Sequence, residues 1–172
     1  MNLEHKTVRL RLVEPDDAEF ILRLRLDDRY NKYLSKVSGG LVEQRMWIEN
    51  YKKDEAAKLQ FYFIIERLDG TPCGTVRIYD LRENSFCWGS WILNDDKTKY
   101  AAIESAFLVY RYGFGVLGFE KSHFDVMKGN AGVIKFHERM GATVTGEDEL
   151  NYFFEISRSS VTAAEAELSE KI

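Results

Sequence analysis

Three histidines, His5, His123 and His137, are scattered along the chain, and its two cysteines, Cys73 and Cys87, form no Cys-x-x-Cys pair. A structural zinc site needs closely spaced thiolates and imidazoles, so no metal is expected and the thiols should be free. Asp80, Glu104 and Asp125 are carboxylates that could serve as bases, but none belongs to a motif. Asp125 lies in the run Phe124-Asp125-Val126, where an ionised group needs a partner, so a buried structural pair accounts for it equally well. Arg29-Tyr30-Asn31-Lys32-Tyr33 mixes charges and rings, which suits a polar, hydrogen-bonding ligand as well as a solvated loop.

The 172 residues carry 24 Lys+Arg against 28 Asp+Glu, a net charge of −4, and 45% of them are apolar. That length and composition make one folded domain with a real core. Without a basic block, nucleic acid is an unsuitable partner, because phosphate-backbone binding requires clustered cations. The polar N-terminus is unlike a secretory signal, and no run reaches the ~18 apolar residues that span a bilayer. No membrane association and a cytoplasmic location are therefore expected.

Residues 6–13 alternate polar and apolar, as in a half-buried strand. Glu14-Pro15-Asp16-Asp17 starts a helix running to about Leu26, with Phe20, Ile21 and Leu24 on its buried face. A loop over 28–40 leads to a second helix carrying Met46, Trp47, Ile48 and Tyr51. Gln60 to Arg67 and Thr75 to Tyr79 flank the turn Asp69-Gly70-Thr71-Pro72, and Ser85 to Leu93 is a fourth strand. The near-helical spacing of Ala102, Ala106, Val109 and Tyr110 predicts a central helix over 98–114, stopped by the glycines that follow. Lys121 to Met127 is a fifth strand, and Ala131 to Met140 a helix ending at Gly141 in a left-handed turn. Strands over 142–147 and 150–157 close the domain at residue 157. Residues 158–172 form a tail, either frayed or a short surface helix capped through Thr162 and Glu165. The order is β-α-α-β-β-β-α-β-α-β-β, an α/β (α+β) mixed sheet covered by helices.

This order, together with the run Asn130-Ala131-Gly132-Val133-Ile134-Lys135-Phe136-His137-Glu138-Arg139-Met140-Gly141-Ala142, resembles the GNAT superfamily of acyl-CoA-dependent N-acetyltransferases. The likeness covers roughly residues 6–157. It implies a mostly antiparallel central sheet with helices on both faces and with the fourth and fifth strands splayed. Acetyl-CoA is then the co-substrate, its pantetheine arm bound by backbone at Trp91, Ile92 and Leu93. The family's pyrophosphate loop falls on Lys97, Thr98, Lys99, Tyr100, Ala101 and Ala102, at a helix N-terminus suited to anions. Tyr100 stands where the pattern has its first glycine, so Lys97, Thr98 and Lys99 would contact phosphates by side chain. Asn130 and Phe136 complete the cofactor set.

The resemblance also places His137 where many relatives carry a tyrosine acid that protonates the departing sulfur. An imidazole titrates near ~6.5 and would act as an imidazolium or as a neutral N–H donor. Acceptor selection falls to the region between the first two helices and to the end of the third strand: Arg29, Tyr30, Tyr33, Arg77 and Asp80. Gly89-Ser90-Trp91 combined with Val133-Ile134-Lys135-Phe136-His137-Glu138 resembles the branch that acetylates amino sugars on nucleotides, with Arg29, Lys32 and Arg77 facing a diphosphate. The small-molecule amine acceptor is therefore expected to be such a sugar, attacked directly in a ternary complex. An N-terminal acetyltransferase of a protein and a non-catalytic acyl-CoA-binding module remain as alternatives. Dimers are common in this superfamily, so a homodimer is the protein partner it allows.

Overall fold

The computed structural model describes residues 3–33 and 39–172; part of the expected 28–40 loop, including Ser38, falls outside them. Seven strands form one sheet: β1 (Val8–Leu12), β2 (Phe61–Arg67), β3 (Pro72–Tyr79), β4 (Ser85–Leu93), β5 (Lys121–Met127), β6 (Thr143–Glu147) and β7 (Asn151–Ser157). Their spatial order is β1-β2-β3-β4-β5-β7-β6, and every neighbour pair is antiparallel except β4 with β5. Helices α1 (Ala18–Leu26) and α2 (Leu41–Ala56) cover one face; α3 (Ala101–Tyr110), α4 (Ala131–Arg139) and α5 (Arg158–Leu168) cover the other.

Strand alternation explains the two cores. Tyr62 and Ile64 of β2 point toward Ile21, Ile48 and Tyr51 of α1 and α2. Phe61, Phe63 and Ile65 point the other way and join Val76, Ile78, Phe86, Trp88, Phe124 and Phe154 beneath α3 and α4. The α1–α2 layer rests on the β1–β3 side of the sheet, and among the described residues its core cluster takes in Tyr62 and Ile64 of β2 together with Val13 just after β1.

Some local expectations change. Pro15–Asp17 is a short 3-10 turn, and α1 begins after it. On α2 the buried residues are Gln44, Ile48 and Tyr51, while Met46 is exposed. The central helix does not stop at its glycines but widens into a π-helical turn over Arg111–Val116. Gly113 is small for a packing reason: a Cβ there would lie 2.2 Å from the Phe86 ring. The tail is the helix α5, capped by the Ser157 hydroxyl and not by Thr162, whose hydroxyl donates to the Arg158 carbonyl. Val161, Ala164 and Leu168 are buried and belong to the main core.

Candidate active site

The site grows out of the junction of β4 and β5. They pair only through Ser85 with Lys121 and Phe86 with Ser122, although β4 runs on to Leu93 and β5 to Met127. At the last pair the buried Ser122 hydroxyl donates to the Phe86 carbonyl at 2.7 Å. Beyond it the two strands part, and the backbone of Trp88, two residues along, faces the same opening.

A β-bulge shapes the far half of β4. Arg77 pairs with Gly89 and Thr75 with Ile92, so Val76 alone faces both Ser90 and Trp91, and Ser90 takes φ +49°. The bulge puts Trp91 on the α3–α4 face. There its indole donates to Ser105 Oγ at 3.2 Å and packs against Phe136. The Ile92 carbonyl is turned toward β3: a Cβ on Gly74 would sit 2.1 Å from it. Asn94 likewise donates its N–H to the Cys73 carbonyl at 2.8 Å. By alternation, Trp91 and Leu93 present their backbone to the opening, whereas Ile92 presents its backbone to β3.

The α3 N-terminus lies just past this edge. The Ala101 N–H donates to the Thr98 carbonyl at 3.2 Å, and the next first-turn N–H groups have no helical partner by construction, a general anion-binding arrangement. Lys97 and Lys99 are exposed, Lys99 Nζ lying 5.2 Å from the Tyr100 ring centroid. Thr98 is tied down, its hydroxyl 2.7 Å from that of Thr7. Glu104, 1% exposed, accepts the Thr7 N–H at 2.7 Å and bonds the Thr7 hydroxyl and His5. It therefore anchors α3 to the start of β1 and is no free base. Ala101 is buried and Ala102 half-buried. Free backbone facing a gap and a helix start flanked by lysines fit the amide chain and phosphates of a CoA thioester.

On α4, His137 is 4% exposed and enclosed by Trp88, Phe124, Phe136 and Phe154. Burial pushes its imidazole down to about 3, and its Nδ1 is buried with no hydrogen-bond partner among the described residues. The ring is thus neutral near pH 7, which leaves the N–H donor of the two roles considered. Asn130 precedes α4, its N–H donating to the Met127 carbonyl at 2.9 Å and its side chain making no cap.

The opposite face of β3, β4 and β5 carries Arg77, Tyr79, Gly89, Cys87 and His123. The Arg77 guanidinium lies 4.3 Å from the Tyr79 ring centroid and donates to Gln60 Oε1 at 3.3 Å; its Nε is buried without a partner among the described residues. Across from it Gly89 has no side chain, and a Cβ there would meet the Tyr79 hydroxyl at 3.0 Å. Burial pushes the Cys87 thiol up to about 11, so it is not a thiolate. Tyr33 reaches over from the α1–α2 connection, its hydroxyl donating to the Gly129 carbonyl at 2.8 Å.

Arg29 and Tyr30 sit beside the β4–α3 connection. With Phe20, Leu24 and Asn94 they line a cleft of about 410 Å³ between α1, the β2–β3 turn and the β4–α3 connection. Arg29 is ion-paired to Asp27 and Asp95, each at 2.8 Å, so its charge is already met within the chain. Asp80 takes φ +48° and accepts from His123 Nε2 and Arg82, both at 2.9 Å. The His123 bond, followed by Arg82, holds its carboxyl below the usual range. His123 Nδ1 lies 2.5 Å from Ser85 Oγ. Asp80 is a candidate from the sequence, but Ser85 and His123 are not singled out there. The alternation Lys121-His123-Asp125 marks the outward face of β5, but the link to Ser85 and Asp80 exists only across strands. Among the described residues no cluster of His, Cys, Asp and Glu is arranged to hold a metal, and no helix is long and apolar enough to cross a membrane.

A mixed sheet parted between β4 and β5, with an anion-ready helix start beside the gap, is the architecture of an acyl-CoA-binding acetyltransferase. A profile described as "Acetyltransferase (GNAT) domain" matches residues 7–143, and the chain belongs to that family. It is an acetyl-CoA-dependent N-acetyltransferase. Among solved structures it is similar to apo FdhC, described as a nucleotide-linked sugar GNAT, with 52% identity and a TM-score of 0.91 over 98% of this chain and 97% of that one. The fold is shared by spermidine N-acetyltransferase from Vibrio cholerae in complex with CoA and spermine (19% identity, TM-score 0.78, 90% and 98% covered). It is also shared by ribosomal-protein-S5-alanine acetyltransferase from Vibrio fischeri (15%, TM-score 0.78, 91% and 96%). A search of curated protein sequences returns no match.

Proposed function

We propose that this enzyme acetylates the amine of an amino sugar carried on a nucleotide, by direct attack of that amine on acetyl-CoA in a ternary complex. The observation that carries the reading is the 52% identity, over nearly both full chains, to a GNAT described as acting on a nucleotide-linked sugar. Arg77 supports it. A half-buried cation with an unpartnered Nε, stacked on Tyr79 and facing a glycine, suits an anionic acceptor such as a diphosphate and does not suit a polyamine.

In this reading the backbone of Trp91 and Leu93 binds the pantetheine amides as an added strand would, and the α3 N-terminus with Lys97 and Lys99 takes the phosphates. Asn130 and Phe136 flank the arm from α4. His137 acts as a neutral N–H donor toward the departing sulfur. Tyr33 and Arg77 contact the acceptor. The test is incubation with acetyl-CoA and a panel of nucleotide-linked amino sugars, peptides and polyamines, read by mass spectrometry. An added acetyl group on a sugar nucleotide is expected. Acetylation of a peptide N-terminus or a polyamine alone, or acetyl-CoA binding with no turnover on any amine, overturns the reading.

A further inference from the structure

Acetyl transfer needs somewhere for the amine's proton to go, and the residues of the cofactor gap do not provide it. Burial holds His137 in its neutral form and makes it a poor proton acceptor, whatever its N–H does toward the sulfur, and Glu104 is saturated by Thr7 and His5. We propose that His123 receives that proton through the hydroxyl of Ser85, with Asp80 orienting the imidazole. The proposal rests on the gap between β4 and β5 being the place of reaction.

The position comes first. His123 is the first β5 residue past the last β4–β5 pair, so it stands where the strands part. Its side chain lies on the face away from Phe124 and His137, the face that carries Arg77, Tyr79 and Gly89. A carboxylate can only accept, so the 2.9 Å contact with Asp80 puts the ring proton on Nε2. Nδ1 then holds the lone pair, and the Ser85 hydroxyl at 2.5 Å donates to it. The Ser85 oxygen keeps a lone pair with which to accept, and because the residue is 3% exposed the amine must reach it from within the gap. Asp80 is held at φ +48°, in the left-handed region that aspartate enters more readily than most residues, and its bonds to His123 and Arg82 fix its carboxylate there.

The step balances. The nitrogen–carbon bond forms and the carbon–sulfur bond breaks, its electron pair leaving on sulfur. The amine proton moves to Ser85 Oγ as the serine proton moves to Nδ1. The resulting imidazolium is stabilised by Asp80, which is half-exposed and opens the way to solvent. The thiolate takes its proton from water. The other groups facing His123 are Arg82 beside Asp80, Lys121 and Asp125 along β5, Glu155 opposite on β7, and Tyr79 and Cys87 on β3 and β4.

The experiment is the pH profile of kcat/KM for wild type, His123→Gln and Asp80→Asn. It uses acetyl-CoA with whichever amine of the panel above is acetylated, and calorimetric binding of acetyl-CoA as the check on folding. His123→Gln should keep acetyl-CoA affinity and lose about 100-fold or more in kcat. Asp80→Asn should move the acid limb to lower pH, because removing a neighbouring carboxylate disfavours the imidazolium. A folded His123→Gln enzyme with wild-type kcat overturns the proposal, as does an acid limb that Asp80→Asn leaves in place. If His123→Gln does not bind acetyl-CoA, the Asp80→Asn limb decides. A wild-type enzyme that binds no acetyl-CoA would tell against the gap as the site and not against this proton path alone.

Discussion

Trp88 and Trp91 stand on the same face of β4 with ring centroids 5.1 Å apart, although residues three apart in an unbroken strand point to opposite faces. The bulge at Ser90 and Trp91 reconciles the two. It adds one residue on β4, turns Trp91 onto Ser105 and Phe136, and helps lead the strand edge away from β5.

Ser90 holds φ +49°, so its identity should matter through the backbone. Ser90→Gly is expected to stay within ~0.5 kcal/mol of wild type, since glycine adopts this conformation freely. Ser90→Val should lose ~1–3 kcal/mol and weaken acetyl-CoA binding together with stability. Urea unfolding and calorimetry on both variants check this; equal stabilities would contradict the bulge.

His137 predicts an acid sensitivity. Its folded pKa near 3 lies below the ordinary value of about 6.5, so the unfolded chain binds the extra proton. The group's contribution is fully present above pH ~6.5 and is lost as pH falls from there toward 3, at up to ~1.4 kcal/mol per pH unit. Replacing it by phenylalanine should flatten the stability loss between pH 7 and 4.5 by ~2–3 kcal/mol. In turnover at saturating acetyl-CoA the same variant should be slower if the neutral N–H donates to the leaving sulfur; unchanged turnover would leave the ring as packing alone.

The acceptor role proposed for Arg77 can be told apart from cofactor binding. Arg77→Met should raise KM for the sugar nucleotide ~10-fold or more, the scale of one charge-assisted hydrogen bond, and leave KM for acetyl-CoA unchanged. Steady-state kinetics with each substrate varied in turn measures the split. Equal changes in both constants would place Arg77 in the general packing of the sheet.

Glu104 is a structural anchor. Glu104→Ala leaves the Thr7 N–H, the Thr7 hydroxyl and His5 without their buried acceptor, so a loss of ~2–4 kcal/mol is expected in urea unfolding. Because Thr98 is bonded to Thr7, the loop before α3 should loosen too and acetyl-CoA should bind more weakly.

The sequence by itself determined the order of elements, because each rests on local signals. A period-two run marked β1, β-forming residues on either side of a turn marked β2 and β3, β4 and β5 fall at 85–93 and 121–127 as expected, and Gly141 marked the end of α4. The residues Asn130 to Ala142 carried the family as well, since the motif of one short helix is written contiguously. Only the tertiary structure decided what depends on cross-strand registry. The register of β3 on β4 creates the bulge, turns the Ile92 backbone away from the gap and sets Arg77 opposite Gly89. Folding brings Asp95 to Arg29, whose other partner, Asp27, is a neighbour in sequence. Ser85, His123 and Asp80 lie on different segments, and no periodicity within one segment encodes their meeting. Burial, too, is a property of the assembled core: the aromatic rings that hold His137 neutral come from β4, β5, β7 and its own helix, and only their packing together removes water from the imidazole.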